Sequence, residues 1–131
     1  VVAILIQAVP YGRNHSNPPV IAEPDWATPQ TRALAVAACF DCHSNEAEYP
    51  WYSSVAPFSW AVQNHVEEGR RKLNFSEWDR PQREADESAE TLLEGSMPPL
   101  YYTIAHPGSR LTGAEKRELA AGFRATPGIG R

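Results

Sequence analysis

The chain of 131 residues has only two cysteines and a single methionine. Two cysteines exclude a scaffold stapled by several disulfides, the usual substitute for a core in small secreted domains. The apolar run that opens the chain, VVAILIQAV (Val1 to Val9), is nine residues without a charge. That is too short to cross a bilayer, which takes roughly 20 apolar residues in a helix. No lysine- or arginine-rich stripe with interleaved aromatics is present, so no nucleic-acid partner is expected. No stretch alternates apolar and polar residues long enough to suggest a sheet, and no internal repeat suggests a solenoid. No nucleophile–base pair or paired-carboxylate site stands out either, which argues for a carrier rather than an enzyme such as a hydrolase.

What is present is globular composition: 42% hydrophobic and 21% charged residues, enough for one domain with a modest core. The 12 prolines outnumber the 8 glycines, as expected for short helices joined by stiff, irregular connections. The net charge of −4 is unevenly spread. Residues 41 to 94 carry 12 acids and 5 bases, whereas residues from 95 onward carry 5 bases and 2 acids. An acidic face of this kind could steer a basic partner protein, although a solvated surface explains most such charges.

Between Pro10 and Pro29 the prolines at 10, 18, 19, 24 and 29 predict an irregular arm, with Val20, Ile21 and Trp26 to pack it on the domain. Four helical stretches follow. The first has Thr28 as N-cap and Pro29 at the first position, then runs TRALAVAACF and carries Cys39 and Cys42 at its C-terminal end. The second covers residues 59 to 73, with Val62, Val66 and Leu73 on one face. The third begins near Pro81 and stops at Gly95. The fourth opens with Thr112 and Glu115, spaced as a capping box, and contains Leu119 and Phe123. The expected class is all-α, with long connections.

Both cysteines fall in one short motif, ACFDCHSN at residues 38 to 45. Cys39, Cys42 and His43 spell C-x-x-C-H, the covalent attachment site of a c-type haem. A redox dithiol normally lies at a strand-to-helix junction, and no strands surround this one. A structural zinc site needs four ligands, and the spacing for a second pair is missing. A disulfide between residues 39 and 42 would close too small a loop to stabilise much. Haem attachment needs no such forcing. Both thiols lie on one side of a helical turn, and His43 projects from the same face as the proximal iron ligand.

The distal ligand is open to several residues. Met97, in EGSMPPLYY, sits in a loop stiffened by Pro98 and Pro99, and a soft thioether suits haem iron. A lone methionine also serves as core filler. His65, mid-helix in NHVEEGR, is the alternative, with His106 and then His15 behind it. Trp51, Tyr52, Phe58 and Trp60 could wall a haem pocket or be ordinary core. Arg70, Arg71 and Lys72 could pair with haem propionates or simply complement a helix end. Asn74 and Ser76 could cap or turn the chain, and Tyr101 and Tyr102 could pin the methionine loop.

The stretches CFDCHSNEAEYPWYSSVAPFSWAVQNHVEEGRRKLNFSEW and EGSMPPLYYTIAHPGSRLTGAEKREL together resemble the haem-binding-domain family of bacterial monohaem c-type cytochromes. The resemblance runs from about residue 17 to about residue 124. It implies a small cytochrome c-like domain of about four helices around one covalent haem c, over residues 17–131. Residues 1–16 would then be the end of a signal or anchor segment and a linker. It further implies attachment at Cys39 and Cys42 and His43 as proximal ligand. Met97 matches the position of a distal thioether, while histidines at 65 and 106 are also part of the family pattern and leave the distal ligand open between them. The expected function is single-electron transfer, with peroxide chemistry or ligand sensing at an open or His-ligated distal site as the alternative. A third possibility is a haem relay in a membrane electron-transfer complex. The expected location is the periplasm or the outward face of a bacterial membrane, with redox proteins as partners and a possible N-terminal membrane tether.

Overall fold

The computed structural model describes residues 1–130. Among these the chain forms seven α-helices and no strand: α1 (Val2–Leu5), α2 (Pro29–Ala38), α3 (Phe40–His43), α4 (Phe58–Lys72), α5 (Ser88–Glu94), α6 (Leu100–Ala105) and α7 (Gly113–Ala125). The all-α expectation holds. Short 3-10 turns and irregular chain join the helices, and among the described residues two isolated β-bridges occur, Ala22 with Glu77 and Pro127 with Gly130. Among the described residues no helix is long and apolar enough to cross a membrane.

The strongest sequence signals sit where expected. Thr28 accepts a hydrogen bond from the Thr31 N–H at 3.0 Å and Pro29 occupies the first turn of α2. Thr112 and Glu115 form the reciprocal capping box of α7. Gly95 ends α5 at φ 83°, a left-handed conformation that costs glycine little and other residues more.

Three helices differ from the sequence pattern. The first does not run through the cysteines: it ends at Ala38, and Cys39 (φ −124°, ψ −30°) breaks the path before α3. With this break Phe40 is buried in the core, while Cys39, Cys42 and His43 line the cavity beside it. The third begins late, with a 3-10 turn at Ala85–Glu87, because Gln82 uses its side chain on the Asn74 N–H and the Glu77 carbonyl, which holds residues 81 to 84 out of a helix. Helix α6, which has no buried residue, carries too little apolar periodicity to be read from sequence.

The core is built on Phe75, which is fully buried. Its ring packs against Trp26 (centroids 5.1 Å apart), Phe40 (5.8 Å), Trp78 (5.9 Å) and Phe123 (6.0 Å). Leu34, Leu73, Leu92 and Leu119 complete it. Helix α7 packs on α2 and α5, while α3 packs on α4. The N-terminal arm is tied to the domain by backbone: Ile21 and Ala22 donate to the Ser76 carbonyl, and Trp78 donates to Ala22. Trp26 packs inward as expected, but Val20 and Ile21 remain exposed, since those backbone bonds rather than their side chains fix the arm.

Truncating the central ring, Phe75→Ala, is expected to lower unfolding free energy by about 3–5 kcal/mol in denaturant titrations. Phe58→Ala, at a ring that is mostly exposed, should cost no more than about 0.5 kcal/mol.

Candidate functional site

His43 is the most constrained polar side chain of the C-x-x-C-H segment. Its Nδ1 lies 3.0 Å from the Gly69 carbonyl and 3.0 Å from the Leu73 carbonyl, both at the C-terminal end of α4. Carbonyls only accept, so Nδ1 carries the proton and Nε2 is left with its lone pair. Among the described residues no hydrogen bond reaches Nε2, and His43 lines a cavity. Burial, the larger effect, lowers its pKa against the raising influence of the two carbonyls, so the imidazole is held neutral. A neutral ring with Nδ1–H on a carbonyl and Nε2 open is the form that binds a metal.

The clasp depends on how closely α3 approaches α4. A Cβ on Gly69 would come within 2.3 Å of the Cys42 carbonyl oxygen, so only glycine permits this contact. Beyond α4, the LNFSEW segment fixes the backbone of the same histidine: the Phe75 N–H donates to the His43 carbonyl at 2.7 Å. A buried polar network then locks the two segments together. The Asn74 side-chain amide donates to Asn45 Oδ1, the Asn45 N–H donates to Ser76 Oγ, and the Ser76 N–H donates to Asn74 Oδ1. Asn45 reaches further, to Glu77 Oε2 at 2.8 Å and to the Pro19 carbonyl of the arm.

Cys39 and Cys42 are both free thiols at the cavity. Burial pushes the Cys39 thiol up to about 12, with the neighbouring Cys42 adding to it. Burial likewise raises Cys42 to about 11, aided by Asp41 and opposed by Arg70. Thiols this far above neutrality are not thiolates, which disfavours a redox dithiol. Among the described residues no group of three or more His, Cys, Asp or Glu side chains is arranged to hold a metal ion, which disfavours zinc as well.

The cleft has two lobes. The smaller, about 180 Å³, is lined by Cys39, Cys42, His43, His65 and Met97, with Leu73, Phe75, Leu92 and Phe123 as its apolar floor. The larger, about 550 Å³, is walled by Tyr49, Trp51, Tyr52, Phe58, Val62 and Val66. Asp41, Cys42, His65, Pro99, Tyr101 and Tyr102 border both. The set matches a haem: two thiols, one oriented neutral imidazole, a thioether and a second imidazole around an apolar space.

The chain matches a family model described as a haem-binding domain over residues 1–125. It belongs to the haem-binding domain family. Comparison with curated proteins and with solved structures finds no match. The protein is thus a small all-helical haem-binding domain.

The structure brings five of the expected site residues to one cavity and separates others from it. Met97 is 43% exposed, and its N–H donates to the Thr91 carbonyl at 3.2 Å, so α5 holds its backbone. His65 is exposed on α4, with the Tyr101 hydroxyl 3.3 Å from each ring nitrogen. His106 borders only the larger lobe. Its Nδ1 donates to the Tyr102 carbonyl at 3.0 Å and its Nε2 accepts from Tyr52 at 3.1 Å, so both nitrogens are engaged. His15 lines neither lobe: its Nε2 sits between the Gly12 and Ser53 carbonyls and its ring stacks on Tyr49, which clasps the arm. Trp60 lines neither lobe, unlike Trp51, Tyr52 and Phe58. Arg70 is committed to the Ser44 carbonyl and Asn17, and only Lys72 of the basic trio borders the cleft. Sequence reasoning passed over Asp41 and Gly69. The signals were a glycine inside a long helix and an acid between the two cysteines.

Gly69→Ala is expected to destabilise the protein by about 1–3 kcal/mol, because the displaced neighbour is backbone. The acid limb can be read through Glu77. Its carboxyl is held below its ordinary 4.5, chiefly by the Asn45 amide and then by Arg80. A depressed carboxyl contributes stability above about pH 4.5 that is lost as pH falls through its folded value. Unfolding titrations of the metal-free protein from about pH 6 to about pH 3 should therefore show a shallower loss in Glu77→Gln than in wild type.

Proposed function

We propose that the protein is a single-electron carrier with one haem c, joined through thioethers to Cys39 and Cys42, with His43 Nε2 as proximal and Met97 as distal ligand. The observation that carries this reading is the His43 clasp, which leaves a neutral Nε2 lone pair at a cavity that two thiols and the only methionine also line. When bound, the haem supplies an iron that cycles between ferric and ferrous. The protein's part is to hold that iron's surroundings constant. Gly69, Leu73 and Phe75 fix the imidazole from behind, and a carbonyl hydrogen bond at Nδ1 makes the ring a stronger donor. Thr91 and the two prolines fix the methionine backbone. A thioether opposite histidine raises the reduction potential relative to two histidines. Leu73, Phe75, Leu92 and Phe123 exclude water from the ligand side, which tunes the potential in the same direction as other buried haems.

Location and partners follow from the same reading. Haem c attachment places the protein in the periplasm or on the outward face of a bacterial membrane. The exposed apolar residues Val1, Val2, Ile4 and Leu5 would suit a membrane tether or a place as a relay in a membrane electron-transfer complex. The acid-rich segment 41 to 94 would steer a basic redox partner.

A second reading is favoured by one specific observation: Met97 is half exposed and His65 lines the same lobe. In that reading the distal side opens, or is taken by His65, and the domain senses a ligand or handles peroxide.

Oxidised and reduced absorption spectra, with an alkaline pyridine treatment of the same sample, separate these readings. The expected result is a c-type haemochrome together with the weak long-wavelength ferric band of methionine ligation, the band vanishing in Met97→Ala with a fall in reduction potential. A c-type haemochrome without that band, unaltered by Met97→Ala, moves the distal ligand to His65. A high-spin ferric spectrum favours the open site.

A further inference from the structure

Helix α6 has no buried residue, yet it follows directly on the methionine loop and covers the cleft between its two lobes. Apolar burial cannot be what keeps it in place: Leu100 is 75% exposed and Ile104 is 60% exposed. Its attachments are polar and pass largely through one residue. The Tyr102 hydroxyl donates a hydrogen bond to Asp41 Oδ2. The Tyr102 ring stacks on His106 with centroids 4.2 Å apart, and the Tyr102 carbonyl accepts from His106 Nδ1. Through Tyr52, His106 is in turn tied to the aromatic wall.

Asp41 is a fixed anchor rather than a loose surface acid. It lies between the two cysteines on α3, and its Oδ1 accepts from the Glu48 N–H at 3.0 Å. Burial and the Asp41 carboxylate both drive the Tyr102 phenol far above its ordinary value, so it remains a donor. Rigid chain connects this contact to Met97. The N–H groups of Tyr102 and Thr103 both donate to the Pro99 carbonyl, and Pro98 and Pro99 leave little torsional freedom back to the methionine.

We infer that Asp41 and Tyr102 form a latch that holds the Met97 loop over the cleft, which makes both of them positioning residues for the distal ligand. The inference rests on the Met97 ligation proposed above. A neutral thioether is a weak ligand, so its occupancy depends on how much of the loop's ordering the protein has already met. On the upstream side Thr91 secures the Met97 N–H. On the downstream side the Asp41–Tyr102 bond does the equivalent, and it ties the distal loop to the very turn that carries Cys39, Cys42 and His43. Tyr101 is the weaker companion, its hydroxyl 3.3 Å from the exposed His65 ring.

The test uses the mature, haem-loaded protein and exogenous imidazole as the probe. Imidazole binds ferric iron only when the methionine has left, so its apparent affinity reports the opening equilibrium. Tyr102→Phe keeps the ring and its stack but removes the hydroxyl. It is expected to raise imidazole affinity about tenfold and to weaken the methionine band, the effect of losing one charge-assisted hydrogen bond. Asp41→Ala should match it, and the double variant should add little to either single change, because both break one bond. Asp41→Asn, which keeps an acceptor oxygen, should recover most of the wild-type behaviour. Tyr101→Phe should alter the affinity less than about twofold. A full wild-type band, with imidazole affinity unchanged in both Tyr102→Phe and Asp41→Ala, overturns the latch and leaves the ligation reading intact. A wild-type protein that lacks the methionine band overturns the ligation reading and the latch with it.

Discussion

The arrangement turns on one imidazole held from behind. His43 gives its only ring proton to the carbonyls of Gly69 and Leu73 at the end of α4, the Gly69 carbonyl also accepting the helical bond from the Leu73 N–H. This contact sets the distance between α3 and α4, and the distance in turn requires a residue without a Cβ at position 69. It also fixes the direction in which the chain leaves α4, because the next segment must return at once to donate from Phe75 to the His43 carbonyl. The same Phe75 then supplies the ring at the centre of the core. The cavity-lining histidine and the phenylalanine at the centre of the core are therefore two ends of one backbone hydrogen bond.

The two sides of the cleft are built differently. Behind His43 lie a helix end, a buried amide network through Asn45 and Asn74, and the aromatic cluster. At the same cavity, Met97 is half exposed on a loop secured by Thr91 and by tyrosine hydroxyls rather than by apolar burial. Burial of the thiols and the neutral state of His43 come from the first side. Under the proposed ligation, adjustment of ligand strength would fall to the second, where single hydrogen bonds hold the loop. For an electron carrier this division has a physical logic. With the proposed ligands, a fixed donor on one face would limit reorganisation, and a more lightly held soft donor on the other could be tuned without disturbing the core.

Much of this was legible in the sequence, and the parts that were not share a cause. Thr28, Gly95 and the Thr112–Glu115 pair announced helix ends because capping is local chemistry within three or four residues. The C-x-x-C-H spacing and the lone methionine marked residues that the fold does bring to one cavity. The break at Cys39 was hidden because it answers to a distant need, the burial of Phe40 against Trp26 and Phe75. The delayed start of α5 was hidden for the same reason, since Gln82 serves the Asn74 backbone across the loop. Arg70 stayed open between a propionate partner and a helix-end charge because its charge is visible in the sequence, whereas its commitment to Ser44 and Asn17 is not. Long-range hydrogen bonds, unlike caps, leave no local pattern.

The central claim is that this clasped histidine serves a haem fixed to its two neighbouring thiols. The most direct test is the intact mass of the denatured protein, produced in a host competent for c-type maturation and compared with the Cys39→Ala/Cys42→Ala variant. The account predicts wild-type protein heavier by the mass of one haem that denaturant and acid extraction do not remove, and a double variant with no retained haem. Wild-type protein at the bare polypeptide mass under those conditions would contradict it.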